Sequence, residues 1–163
     1  MPHRSPFRRT VPGFLLATLL LAPVAATPTI ARAESGLGWH GGFTLEPDQV
    51  VLGGQAVFPV GKERFYVVPQ AEIGLLNGTA FAVHADLQAR LGGADAGFRP
   101  YVAAGGTYYG FDPEDGDSDS KVGVNIAGGF WTQKTSGKKR FVEVMFFLDD
   151  ELPDFRLVIG QNF

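Results

Sequence analysis

Between Asp112 and Asp119 the chain reads DPEDGDSD, so Asp112, Glu114, Asp115, Asp117 and Asp119 gather carboxylates around Gly116. Closely spaced carboxylates on a turn are the donor set of a hard, oxygen-seeking cation such as Ca²⁺. The spacing departs from an EF-hand loop, which sets ligands at positions one, three and five ahead of its glycine and a glutamate at twelve. A solvated acidic loop is the competing reading. Ca²⁺ is therefore only a candidate ligand of these residues, and no other cofactor is expected. Nucleophilic chemistry needs a serine, a base and an orienting acid within reach of one another. After residue 33 the serines are Ser35, Ser118, Ser120 and Ser136. All fall in the terminus or in connections, away from His40 and His84, so no catalytic residue is assigned and an enzyme is not expected. The chain has no cysteine, which removes disulfides and thiolate metal sites.

The remaining charges of interest sit inside runs of alternating polarity. In 79–92, Phe81, Val83, Ala85, Leu87, Ala89 and Leu91 share one face while His84, Asp86, Gln88 and Arg90 share the other. In 64–76, Phe65, Val67, Ala71, Ile73 and Leu75 oppose Gln70 and Glu72. Val122, Val124, Ile126 and Phe130 oppose Asn125, and Val142, Val144, Phe146 and Leu148 oppose Glu143. The run 154–163 sets Phe155, Leu157, Ile159 and Phe163 against Arg156 and Asn162, with Gln161 the polar exception on the apolar face. A period of two is the signature of strands with one dry and one wet side. Eight such runs can be drawn, at 37–45, 50–60, 64–76, 79–92, 99–112, 121–132, 140–148 and 154–163. Turn residues separate them, among them Asn77-Gly78, Gly92-Gly93 and Ser136-Gly137. Each run supplies the roughly 9 to 11 residues of a tilted spanning strand, and eight make a small antiparallel up-and-down transmembrane β-barrel. Polar-in, apolar-out packing then predicts a lumen charge network of Glu72, Asp86, Arg90, Glu143 and Arg156, paired because an unpaired buried charge is costly.

The front of the chain reads as an export signal. Arg4, Arg8 and Arg9 precede the apolar segment Phe14–Ala22, and Ala31-Arg32-Ala33 offers a small-x-small cleavage site, so 1–33 is read as a signal peptide and 34–163 as the barrel domain. The apolar segment is shorter than the roughly 20 residues of a membrane helix. After residue 33 ten basic residues face 17 acidic ones, a net charge of −7 that argues against nucleic-acid binding.

With eight strands, the odd-numbered connections meet at one rim and the even-numbered ones at the other. The first, fifth and seventh, with their strand ends, hold 11 of the 17 acids, whereas the second, fourth and sixth hold Lys62, Arg64, Arg99, Lys134, Lys138, Lys139 and Arg140. Miscounting by one strand would scramble that segregation. Some residues fit less easily. Pro69 lacks the N–H of a closed ladder and predicts a bulge or an early strand end. The phase of 99–112 is ambiguous, because Tyr108 and Tyr109 are adjacent and Ala103–Gly106 carry little side chain. Trp39 and Trp131, with Tyr101, Tyr108 and Tyr109, are candidates for interfacial aromatic girdles; lumen filling is the alternative.

Taken together, the signal peptide, the eight alternating runs and the terminal Phe163 resemble the small outer-membrane β-barrel superfamily of the OmpA transmembrane domain and OmpX. The end of the chain, with Gly160 three residues before Phe163, is similar to the C-terminal sorting signal read by the barrel assembly machinery. The resemblance implies a place in the outer membrane, with that machinery, membrane lipids and lipopolysaccharide as partners. It also implies a lumen closed by side chains; because the lumen-facing charges would fill much of so narrow a barrel, a structural, envelope-integrity role with a largely filled lumen is the favoured expectation. A narrow pore or small-ligand transport barrel is the alternative function, and a soluble barrel with an apolar cavity remains a third.

Overall fold

The computed structural model describes residues 35–61, 64–76, 78–93, 96–113, 117–133 and 138–163. The expected signal peptide at 1–33 lies outside these residues. Eight strands follow one another: β1 (Gly36–Leu45), β2 (Gln49–Pro59), β3 (Phe65–Leu75), β4 (Thr79–Arg90), β5 (Phe98–Asp112), β6 (Asp119–Gln133), β7 (Lys139–Phe147) and β8 (Phe155–Asn162). Each pairs antiparallel with the next, and β8 returns to β1 to close the barrel. Their bounds lie within two residues of the expected runs, so turn chemistry and alternation located the elements.

Closure sets the tilt. Stepping across paired residues from Gly129 leads through Glu143, Val158, Gly42, Val51, Gly74, Ala80 and Phe111 to Asp119, ten residues earlier in β6. Such a stagger tilts the strands against the barrel axis and fixes how wide the interior is. Up-and-down order brings the β1–β2, β3–β4, β5–β6 and β7–β8 connections to one rim, here the acidic rim. The other connections and both chain-terminal strand ends lie at the opposite, basic rim, with Arg64 and Lys138–Arg140.

Burial follows the expected phase. Phe81, Leu87, Ile73, Ile126, Phe146 and Ile159 are exposed on the outer wall, while Gln70, Glu72, His84, Asp86, Asn125, Glu143 and Arg156 are buried inside. In β5 the ambiguity resolves in favour of Tyr101, Ala103, Thr107 and Tyr109 inward and Tyr108 outward. The expected disruption at Pro69 does not occur. β3 runs unbroken through Pro69 opposite Ala85 of β4, and its register with β2 is the same on either side of the proline. The missing N–H is accommodated because no β2 partner is paired with Pro69 or Val68, so the ladder skips a step without inserting a residue.

Eight strands enclose little space, and large inward side chains fit only opposite small ones. Gly160 faces inward under the Phe141 ring, where a Cβ would overlap the aromatic carbons. At the acidic rim the β7–β8 connection dips into the barrel mouth: Leu152 is buried against Ala80, Ala82 and Tyr109, over the slot left by Gly123.

Candidate functional site: the charged lumen

Arg156 sits at the centre of the lumen, fully buried on β8. Its Nε donates to Glu72 Oε2 at 2.9 Å and its Nη1 to Glu143 Oε1 at 2.9 Å. Nη2 lies 2.9 Å from Glu72 Oε2 and donates to Gln70 Oε1 at 2.9 Å. A guanidinium forked between carboxylates of different strands joins β3, β7 and β8 across the interior. Glu143 takes a second bond from the Tyr101 hydroxyl at 2.9 Å.

Glu72 is also flanked by both lumen histidines. His84 Nε2 lies 3.3 Å from Glu72 Oε1, and its Nδ1 lies 2.9 Å from Thr107 Oγ1. His40 Nε2 lies 3.0 Å from Glu72 Oε2 and 3.2 Å from Arg156 Nη2; as the Nε2–H tautomer it donates to the carboxylate. Thr107, His84 and Glu72 thus form a hydroxyl–imidazole–carboxylate chain, a pattern that elsewhere activates a nucleophile. All are buried, and the adjoining cavity, lined by Thr44, Gln49, Glu72, Gly74 and Tyr109, has space for roughly one water molecule. Alternation alone would have shown Thr107, had the phase of its strand been readable.

The five network residues do not form one set of ion pairs. Asp86 is satisfied by amides, accepting from Asn125 Nδ2 at 2.8 Å and Gln70 Nε2 at 3.1 Å. Arg90 is placed toward the basic rim, where its guanidinium lies 3.7 Å from the centre of the Tyr66 ring and 4.8 Å from that of Trp131. Its Nε donates to Gln88 Oε1 at 2.8 Å. Cation–π stacking on these two rings contributes to holding it there.

The aromatic expectation divides. Trp39 is 51% exposed on the outer wall, whereas Trp131 is only 4% exposed and packs in the lumen on Phe141 and Tyr101. The girdle reading of Trp131 is therefore corrected: its odd position in β6 shares the inward face with Asn125. Tyr101 and Tyr109 fill the lumen as well.

Of the candidate Ca²⁺ ligands, Asp112, Asp117 and Asp119 are exposed at the acidic rim. Ser118 Oγ donates to Asp112 Oδ1 at 2.7 Å, and Lys121 lies 3.4 Å from Asp119. Glu114 and Asp115 lie outside the described residues. Among the described residues no three histidine or acidic side chains are grouped to hold a metal. Ser120, expected in a connection, is the second residue of β6 at the same rim, paired with Gly110 and not with a strand position that carries a histidine. Phe163 is exposed beside β1, its N–H bonded to the Leu37 carbonyl at 3.0 Å.

No family model and no curated protein sequence matches the chain. Solved structures do. The N-terminal β-barrel domain of Pseudomonas aeruginosa OprF superposes with a TM-score of 0.67 at 16% identity, covering 79% of this chain and 96% of that one. A de novo designed transmembrane β-barrel gives 0.55 at 13% identity over 81% of this chain and 98% of its own. The outer-membrane protein Ail of Yersinia pestis, determined in a phospholipid bilayer nanodisc, gives 0.52 at 10% identity over 80% and 99%. The likeness is one of fold: a closed ring of eight antiparallel strands is common to this chain and to those outer-membrane barrels.

Proposed function

We propose that the protein is an outer-membrane barrel with a structural, envelope-integrity role. In this reading it is exported by its N-terminal signal, inserted by the barrel assembly machinery, and surrounded by membrane lipid and lipopolysaccharide. The observation that carries the proposal is the inverted polarity of the wall: Leu52, Ile73, Leu87, Val102 and Ile126 are exposed outside, and Glu72, Glu143 and Arg156 are buried within. Water is a poor solvent for that exterior, and hydrocarbon a good one. The lumen favours a structural role over transport, because Arg156 and its partners cross it from three strands and Leu152 fills the acidic mouth. The Thr107–His84–Glu72 chain serves in this reading as hydrogen-bonded filling.

Fractionation joined to planar-bilayer recording tests it. Protein from the outer-membrane fraction should shift in gel mobility on boiling, as a detergent-resistant barrel does, and should show no discrete, reproducible openings. Recovery free in the periplasm would overturn the membrane assignment; stepwise conductance would replace the structural role by transport.

A further inference from the structure

Gln161 breaks the apolar outer face of β8, and the register shows that the break is not isolated. Gln161 is the direct partner of Arg140 on β7, and Arg140 that of Thr132 on β6. All of them face outward, so a guanidinium, an amide and a hydroxyl stand side by side on the wall near the basic rim. Exposed aromatic residues close both ends of the row: Phe98 pairs with Thr132, and Trp39 pairs with Gln161. The next outward row toward the barrel middle is Pro100, Phe130, Val142, Ile159 and Gly41, with no polar side chain. Elsewhere in this half of the wall, outward strand positions among the described residues are apolar, glycine or proline.

We infer that Thr132, Arg140 and Gln161 form a binding site for the headgroup of an anionic glycerophospholipid in the periplasmic leaflet. A guanidinium presents a planar fork of N–H groups that matches a phosphate, and the amide and hydroxyl add donors beside it. Arg140 is exposed and makes no hydrogen bond or ion pair with a described residue. Exposed Lys138 lies two residues away, and no described outward strand position near the row carries a carboxylate, which selects a net negative headgroup over a zwitterionic one. The apolar row above offers acyl chains a dry surface, as does exposed Phe98, and the exposed amphipathic indole of Trp39 suits a membrane interface.

This inference rests on the outer-membrane reading, and one experiment separates the two. Full-length folded protein is placed in phosphatidylcholine vesicles containing a minority of phosphatidylglycerol, with bromine on the acyl chains of one lipid or the other. Trp39 stands on the wall and Trp131 is enclosed in the lumen, so quenching reports the lipid beside Trp39. Brominated phosphatidylglycerol should quench as if enriched about fivefold over its bulk fraction, the order expected for a basic side chain at a lipid surface. The excess should vanish in Arg140→Gln and in high salt, and shrink in Gln161→Leu and in Arg140→Lys, which keeps the charge but not the fork. Quenching by brominated phosphatidylcholine with no phosphatidylglycerol excess, or an excess unchanged in Arg140→Gln, overturns the site and leaves the barrel in its membrane. Absence of quenching by either lipid overturns both. Should Arg140→Gln fail to fold, Gln161→Leu and the salt dependence of the unmodified protein decide.

Discussion

Arg156 brings five N–H donors into a space closed to water, where carboxylate, amide and sulfur acceptors surround them. Glu72 accepts from Nε, Glu143 and the Met145 sulfur from Nη1, and Gln70 from Nη2, which also lies 2.9 Å from Glu72 Oε2. Such a centre stabilises through its completeness. The Coulomb attraction offsets the cost of desolvating the ions only while every partner is present, and removing one leaves buried charge uncompensated. Arg156→Met should therefore lower stability by about 3–5 kcal/mol, the range for breaking a buried pair. The measurement is the urea midpoint of the refolded barrel, read by tryptophan fluorescence. Adding Glu72→Leu and Glu143→Leu to that variant should recover part of the loss, since the orphaned carboxylates leave with their partner; no recovery would mean that the ions are not the source of the deficit.

Among the elements, the β7–β8 connection does more than turn the chain. Leu152 anchors it inside the mouth, the Asp154 N–H bonds to the Leu45 carbonyl at 3.2 Å, and Glu151 holds Lys121 at 2.7 Å. Its seat depends on the absence of a side chain at Gly123, where a Cβ would press on Leu152 and approach Asp149 Cβ at 3.2 Å. Gly123→Val should expel the connection and expose 148–154 to added protease, while the heat-dependent gel shift of the barrel persists. Continued resistance to cleavage would show that the connection holds by its rim contacts alone. This anchoring was not legible in the sequence: Leu152 looked like one apolar residue in an acidic turn, and Gly123 like a strand glycine. Strand limits and faces were legible, because an alternation such as Phe81–Arg90 has one solution once a face is dry. The errors arose where a residue type answers to two environments. Trp131 suits an interface or a crowded interior equally, and phase, not type, decides between them. Pro69 was read by the rule for a lost N–H, whereas the sheet omits the pairing on one side and keeps its register. The stacking of Arg90 on Tyr66 and Trp131 was not legible either, because those rings become its neighbours only once the strands are paired.

On the scale of the molecule, the segregation of acidic and basic rims follows from an even number of strands in up-and-down order, since every second connection must return to the same end. The closing ladder is the one that does not join neighbours in sequence. β1 and β8 meet with eight paired residues, and the Phe163 N–H reaches the Leu37 carbonyl. The strands consequently have an order around a circle, but the folded sheet has no intrinsic first member. A gene rearranged so that residue 163 continues through a short Gly/Ser linker into residue 35, with new termini opened at 113–117, should still give a barrel with the same boiling-dependent mobility. Its closing ladder would then be β5–β6, the longest in the ring, with 14 paired residues. The seam that closes the native chain is one of its three shortest, with eight pairs each, whereas the permuted chain would close on its most extensive one, separating the strength of the closing seam from the speed of closure.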